Sequence, residues 1–126
     1  MADVLEPMSL ADEAAVTAQL QRPPRAVAGV AYRCPCGKPA VVATRPRLAD
    51  GTPFPTTYYL SCPRAVAACS SLEAKGRMAD MSARLRTDGQ LAERYQQAHR
   101  RYLADRAQLG AVPEIADVSA GGMPDR

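Results

Sequence analysis

The sequence has no tryptophan, one phenylalanine and one histidine among 126 residues, and aromatic residues make up only 5% of it. That scarcity removes the row of ring faces on which single-stranded nucleic acids stack, and Tyr58-Tyr59 in an extended segment would face opposite sides. Sequence-specific nucleic-acid recognition is therefore not expected. No apolar run approaches the roughly 20 residues of a membrane span. The start MADVLEP has neither the basic opening nor the apolar stretch of a secretory signal. A cytoplasmic protein is expected, with cysteines reduced or metal-held rather than disulfide-paired. Paired C-x2-C units, the strong zinc signature, are missing as well.

What is present is an uneven charge. The net +3 hides a start, 1–13, that carries Asp3, Glu6, Asp12 and Glu13 and no base. Residues 14–112 hold nearly all of the 16 basic residues, and the tail from 113 is again acidic through Glu114, Asp117 and Asp125. Only Lys38 and Lys75 of those bases are lysine. A basic middle attracts phosphate, a nucleotide or an acidic protein, although a solvated basic surface meets the same description.

Ser9, Asp12 and the apolar positions Ala15, Val16, Ala18 and Leu20 predict an N-capped helix of about twelve residues, stopped by Pro23-Pro24. AVAGVAY (26–32), VVATR (41–45) and TTYYLS (56–61) predict three short strands. The first two join through Cys34 to Pro39 as a hairpin, and Asp50-Gly51 turns the chain back to the third. After Pro63 the period becomes helical: Val66, Cys69 and Leu72 share a face, and Gly76 closes that helix. Met78, Met81 and Leu85 mark the next helix, and Leu91 to Leu109 the longest, with Leu91, Tyr95, Ala98, Tyr102 and Leu109 in one stripe broken by Asp105. The fold expected is α+β: a three-stranded antiparallel meander, one helix before it and about three after it. The division expected is a flexible 1–8, one domain over 9–109 and a loosely ordered 110–126.

The run RCPCGKP places Cys34 and Cys36 in one tight turn. A zinc ion needs four ligands, with sulfurs about 2.3 Å from the metal. Residues two apart on a straight strand stand about 7 Å apart, so the two thiols converge only if Pro35 and Gly37 curve the backbone. Cys62, at the end of the third strand, is the third candidate for zinc. Cys69 lies ~10 Å further along the helix, which separates it from Cys62, and its place beside Val66 and Leu72 predicts a buried thiol. His99 is the remaining candidate ligand, on a helix where packing explains it equally well. Cys62 also precedes a helix beside Arg64, a setting that favours thiolate, yet no general base accompanies it.

Arginines beside prolines form the second candidate site: Arg22-Pro23-Pro24-Arg25, Arg45-Pro46-Arg47 and Cys62-Pro63-Arg64. Proline stiffens the backbone that carries the guanidinium, which suits capture of a carboxylate or phosphate; Arg45, Arg47 and Arg64 are the expected anion ligands.

The stretch PRAVAGVAYRCPCGKPAVVATRPRLADGTPFPTTYYLSCP, followed by SSLEAKGRMADM, resembles an actinobacterial family known only as domain of unknown function 501. The similarity runs from about Val16 to the end, with DGTPFPT and YYL its most specific part. It brings no established activity and no catalytic residue. Members vary at the positions of Cys36 and Cys62, and the family pattern continues past GGMPDR into a segment with cysteine and histidines. The resemblance thus implies a chain lacking a C-terminal segment. The function expected is a non-catalytic binding or regulatory module with a basic Pro/Arg surface; the alternative is an enzyme of phosphate-containing substrates completed by that segment.

Overall fold

The computed structural model describes residues 5–115, so the expectations for residues 1–4 and 116–126 lie outside the described residues. Helix α1 (Leu10–Leu20) leads into strands β1 (Val27–Arg33), β2 (Pro39–Thr44) and β3 (Tyr58–Leu60). Helices α2 (Pro63–Ala74), α3 (Arg77–Thr87) and α4 (Gly89–Leu109) follow, and Pro113–Ile115 form a single 3-10 turn. The α+β meander and its flanking helices are as the sequence predicts, with strand boundaries shifted by up to two residues.

The sheet runs β1-β2-β3, antiparallel throughout. Central β2 is its most buried strand: Ala40, Val42, Ala43 and Thr44 are all buried. Together with Val16 of α1 and Val30 of β1 these supply a small core of short side chains. Three register irregularities break the β1–β2 ladder, and such bulges raise the local twist. On the outer edge of β1, Glu6 and Val30 exchange backbone hydrogen bonds of 3.1 and 2.7 Å. Gly29 is the residue that permits this approach: a Cβ there would stand 2.7 Å from the Glu6 carbonyl oxygen and 3.1 Å from Leu5 Cβ.

Helix boundaries follow local chemistry. Ser9 accepts from the Asp12 N–H at 3.0 Å while Asp12 accepts from the Ser9 N–H at 3.1 Å, a reciprocal capping box. Gly76, at φ 74°, both ends α2 and begins α3, since its left-handed backbone reverses the chain without a Cβ clash. Asp88 caps α4 by accepting from the Leu91 N–H at 3.1 Å.

Two sequence-based placements need correction. Cys69 is exposed, not buried, and its neighbours Val66 and Leu72 are 41% and 44% exposed. The apolar period there is real, but α2 buries no residue at all, because it leaves the sheet after the three-residue β3 and turns toward α3. The α4 stripe also divides. Leu91 and Tyr95 line a cleft with Met81 and Leu85 of α3, whereas Tyr102 reaches back to the segment before β3. Ala98 is exposed, and Asp105, which interrupts the stripe in sequence, is only 6% exposed.

Candidate functional site

Tyr58 and Tyr59 send their rings to opposite faces of the sheet, as their adjacency in a strand requires, and each organises a different polar cluster. On one face Tyr59 accepts a 2.8 Å hydrogen bond from Arg22, whose guanidinium lies 5.8 Å from the ring centroid. Hydrogen bond and cation–π contact together hold the Arg22 fork in place. Arg22, Pro24 and Arg25 sit with Leu20, Phe54 and Val42 around a cavity of about 110 Å³. Its lining is mainly aliphatic and aromatic, Arg22 and Arg25 are the charged residues in it, and a proline pair follows the left-handed C-cap of α1 at Gln21. A cavity of this size admits an anionic head with a few carbons, well short of a nucleoside.

On the other face Tyr58 donates to the Asp105 carboxylate at 2.6 Å and meets Tyr102 edge-on, with ring centroids 6.1 Å apart. The Tyr102 hydroxyl accepts from the Thr57 N–H and donates to the Pro55 carbonyl, both at 2.8 Å. Arg106, 4% exposed, donates to the same Pro55 carbonyl at 3.0 Å and to the carbonyl of Ile115. Burial, and then the neighbouring Asp105 carboxylate, push the Tyr58 hydroxyl well above its ordinary range. These groups lock the 55–58 segment onto α4.

A third cluster ties α1 to the hairpin. Arg33 grips both carboxylate oxygens of Asp12 at 2.9 Å, donates to Glu6 at 2.9 Å and to the Gly37 carbonyl at 3.0 Å. The Arg33 guanidinium, followed by the capping N–H of Ser9, holds the Asp12 carboxyl well below the usual carboxylate range.

The cysteine turn is compact. The Gly37 N–H donates to the Cys34 carbonyl at 2.8 Å and the Cys34 N–H to the Lys38 carbonyl at 2.9 Å, with Gly37 at φ 91°. This is a type I turn closed by a left-handed glycine, with Pro35 at the position where its fixed φ fits. The curvature places Cys34 and Cys36 at the first and third positions of one tight turn. Cys36 is exposed and Cys34 half-buried. Two of the four ligands of a closed zinc site are thus adjacent, but among the described residues no group of three or more Cys, His, Asp or Glu stands in metal-holding arrangement. Cys62 precedes α2 as its N-cap and makes no side-chain capping bond.

Of the expected anion ligands, Arg47 already has partners. Arg47 donates to the Gly51 carbonyl at 2.7 Å and pairs with Glu114 at 3.1 Å. Arg45 and Arg64 are exposed, and none of the three lines the Arg22 cavity. The Tyr58–Asp105 and Asp12–Arg33 pairs have no motif signature; the one hint is a polar residue, Asp105, at an otherwise apolar stripe position.

No helix is long and apolar enough to cross a membrane among the described residues. No curated protein and no solved structure matches the chain. Residues 30–126 match a family described as "Protein of unknown function (DUF501)", beginning at Val30 rather than near Val16. Since that match spans well over half of the sequence, the chain belongs to the DUF501 family.

Proposed function

We propose that the protein is a non-catalytic binding module of the cytoplasm that captures a small anion, phosphate or carboxylate, at the Pro/Arg loop after α1. The observation that carries this reading is the Arg22 guanidinium fixed against Tyr59 in the lining of a mainly apolar cavity, with Arg25 in the same lining. A fork already immobilised loses less rotamer entropy on gripping an anion, and the proline pair restrains the backbone beneath it. Two arginines in one lining select charge; the aliphatic side chains beside them select a short apolar tail.

This reading takes Arg22 and Arg25 as the anion ligands in preference to Arg45, Arg47 and Arg64, and the partners of Arg47, Glu114 and the Gly51 carbonyl, favour that choice. A thermal-shift and calorimetric series with inorganic phosphate, acetate and butyl phosphate at matched ionic strength tests the reading. Stabilisation by butyl phosphate above phosphate, lost in Arg22→Ala, is expected. Equal response to every salt at one ionic strength would sink it.

A further inference from the structure

The chemistry that the anion site leaves unused is concentrated at the tip of the β1–β2 hairpin. Cys34 and Cys36 occupy the first and third positions of a four-residue turn, and the two backbone hydrogen bonds that close it hold them on one short arc. One residue separates them within a turn that folds the chain back on itself between Cys34 and Gly37. Exposure is asymmetric: Cys36 is open to solvent while Cys34 is half-covered. The turn is also anchored, since Arg33 donates to the Gly37 carbonyl while gripping Asp12 of α1. The thiols are therefore presented on a fixed frame rather than on a wandering loop.

We propose that Cys34 and Cys36 form a dithiol/disulfide couple that exchanges with low-molecular-weight aliphatic disulfides, with Cys36 as the attacking thiol and Cys34 as the resolving one. The Cys36 thiolate attacks one sulfur of the disulfide RSSR; the Cys36–SR bond forms, the S–S bond of RSSR breaks and RS⁻ leaves. Cys34 then loses its proton to solvent and attacks the Cys36 sulfur, forming the Cys34–Cys36 bond and expelling the second RS⁻. Taken together, two protein thiols are oxidised, one RSSR is reduced to two RSH, and the two protons lost by the cysteines are taken up by the two leaving thiolates.

The assignment of roles follows from the surroundings. Cys36 is the more open of the two thiols, and the Lys38 backbone, followed by the neighbouring Cys34, lowers its pKa from the ordinary thiol value. Thiolate character and access coincide at Cys36, which is what the attacking member of such a pair requires. Cys34, less accessible to an incoming disulfide but adjacent to the mixed disulfide, is placed for the second step. Sequence alone points instead to Cys62, through its helix start; the turn geometry moves the reactive centre to the hairpin.

The test uses the full chain in glutathione buffers of graded ratio, quenched with an alkylating reagent and read by mass spectrometry. The tryptic peptide 34–47 carries both turn cysteines and neither Cys62 nor Cys69. In the unmodified protein that peptide is expected to lose both free thiols together and to gain no lasting glutathione adduct, and the change should reverse in reduced glutathione. Cys34→Ser is expected to accumulate the glutathione adduct on Cys36, and Cys36→Ser to form adduct on Cys34 at least tenfold more slowly. A stable adduct on the unmodified peptide, or no change there at any ratio, overturns the couple. Equal adduct rates in the two variants overturn the assignment of roles. The unmodified chain alone decides the first question, so a variant that misfolds does not leave it open.

Discussion

Tyr58 donates a 2.6 Å hydrogen bond to Asp105 across a sequence separation of 47 residues, joining the last strand to the last long helix through a partly buried contact. Tyr102 reinforces it edge-on, and Arg106 one residue along closes the other side. Removing the hydroxyl leaves a carboxylate at a site that water scarcely reaches. Tyr58→Phe is therefore expected to destabilise the fold by about 1–3 kcal/mol in urea unfolding. No loss within error would show that Asp105 is satisfied without it.

The same pair sets an alkaline limit. The folded state holds the Tyr58 proton more tightly than the unfolded chain, whose tyrosines ionise near pH 10. The stabilisation is thus fully present below about pH 10 and falls as pH rises toward the folded value. Urea midpoints of the native chain should drop over that range more steeply than those of Tyr58→Phe; parallel curves would refute the assignment.

At the acid end the governing group is Asp12. Its folded carboxyl titrates well below the usual range because Arg33 holds it, while the unfolded one titrates near 4. Its contribution is present above about pH 4 and is lost as pH falls below that, because the unfolded chain then takes up the proton first. Asp12→Asn should lower the melting temperature at neutral pH and flatten the acid limb below pH 4, as followed by circular dichroism. An unchanged acid limb would mean that other carboxylates control it.

Gly29→Ala tests the edge pairing of Glu6. The added methyl would stand 2.7 Å from a backbone oxygen that cannot rotate away, so a loss of about 1–3 kcal/mol is expected. Amide exchange at Val30, whose N–H donates to Glu6, should accelerate in the variant relative to the β2–β3 ladder. Uniform acceleration would point to global rather than edge destabilisation.

Substitutions on α2 should behave oppositely. Val66→Thr and Leu72→Gln remove apolar surface that water already touches, so each should change stability by less than about 0.5 kcal/mol. A larger loss by urea unfolding would reveal that this face is covered.

The architecture was legible because local chemistry speaks early. The Ser9 cap, Gly76 and the Cys34–Gly37 turn each carry their backbone geometry in their residue type, and Tyr58-Tyr59 announced two faces. The packing of α2 was not legible, since the helical period of Val66, Cys69 and Leu72 reports which residues share a face and not whether anything meets it. Asp105 misled in the opposite sense: a carboxylate in an apolar stripe reads as an interruption until its partner, 47 residues earlier, is known. For the site, the proline–arginine pattern identified the type of loop, but three such loops look alike in sequence. Arg22 and Arg25 line the cavity beside Tyr59, while Glu114 and Gly51 occupy Arg47.

Because strand order in the sheet equals strand order in the chain, every ladder closes a short loop. Docking of α4 on residues 55–58 closes a much longer one, and that extra closure entropy is repaid only after both partners exist. The hairpin should accordingly form early in folding and the α4 contact late, giving high φ-values around Val30 and Val42 and low ones at Tyr102. Under stress the order reverses: the C-terminal half of α4 would let go first, leaving the meander, and the cysteine turn at its tip, as the last structured part of the molecule.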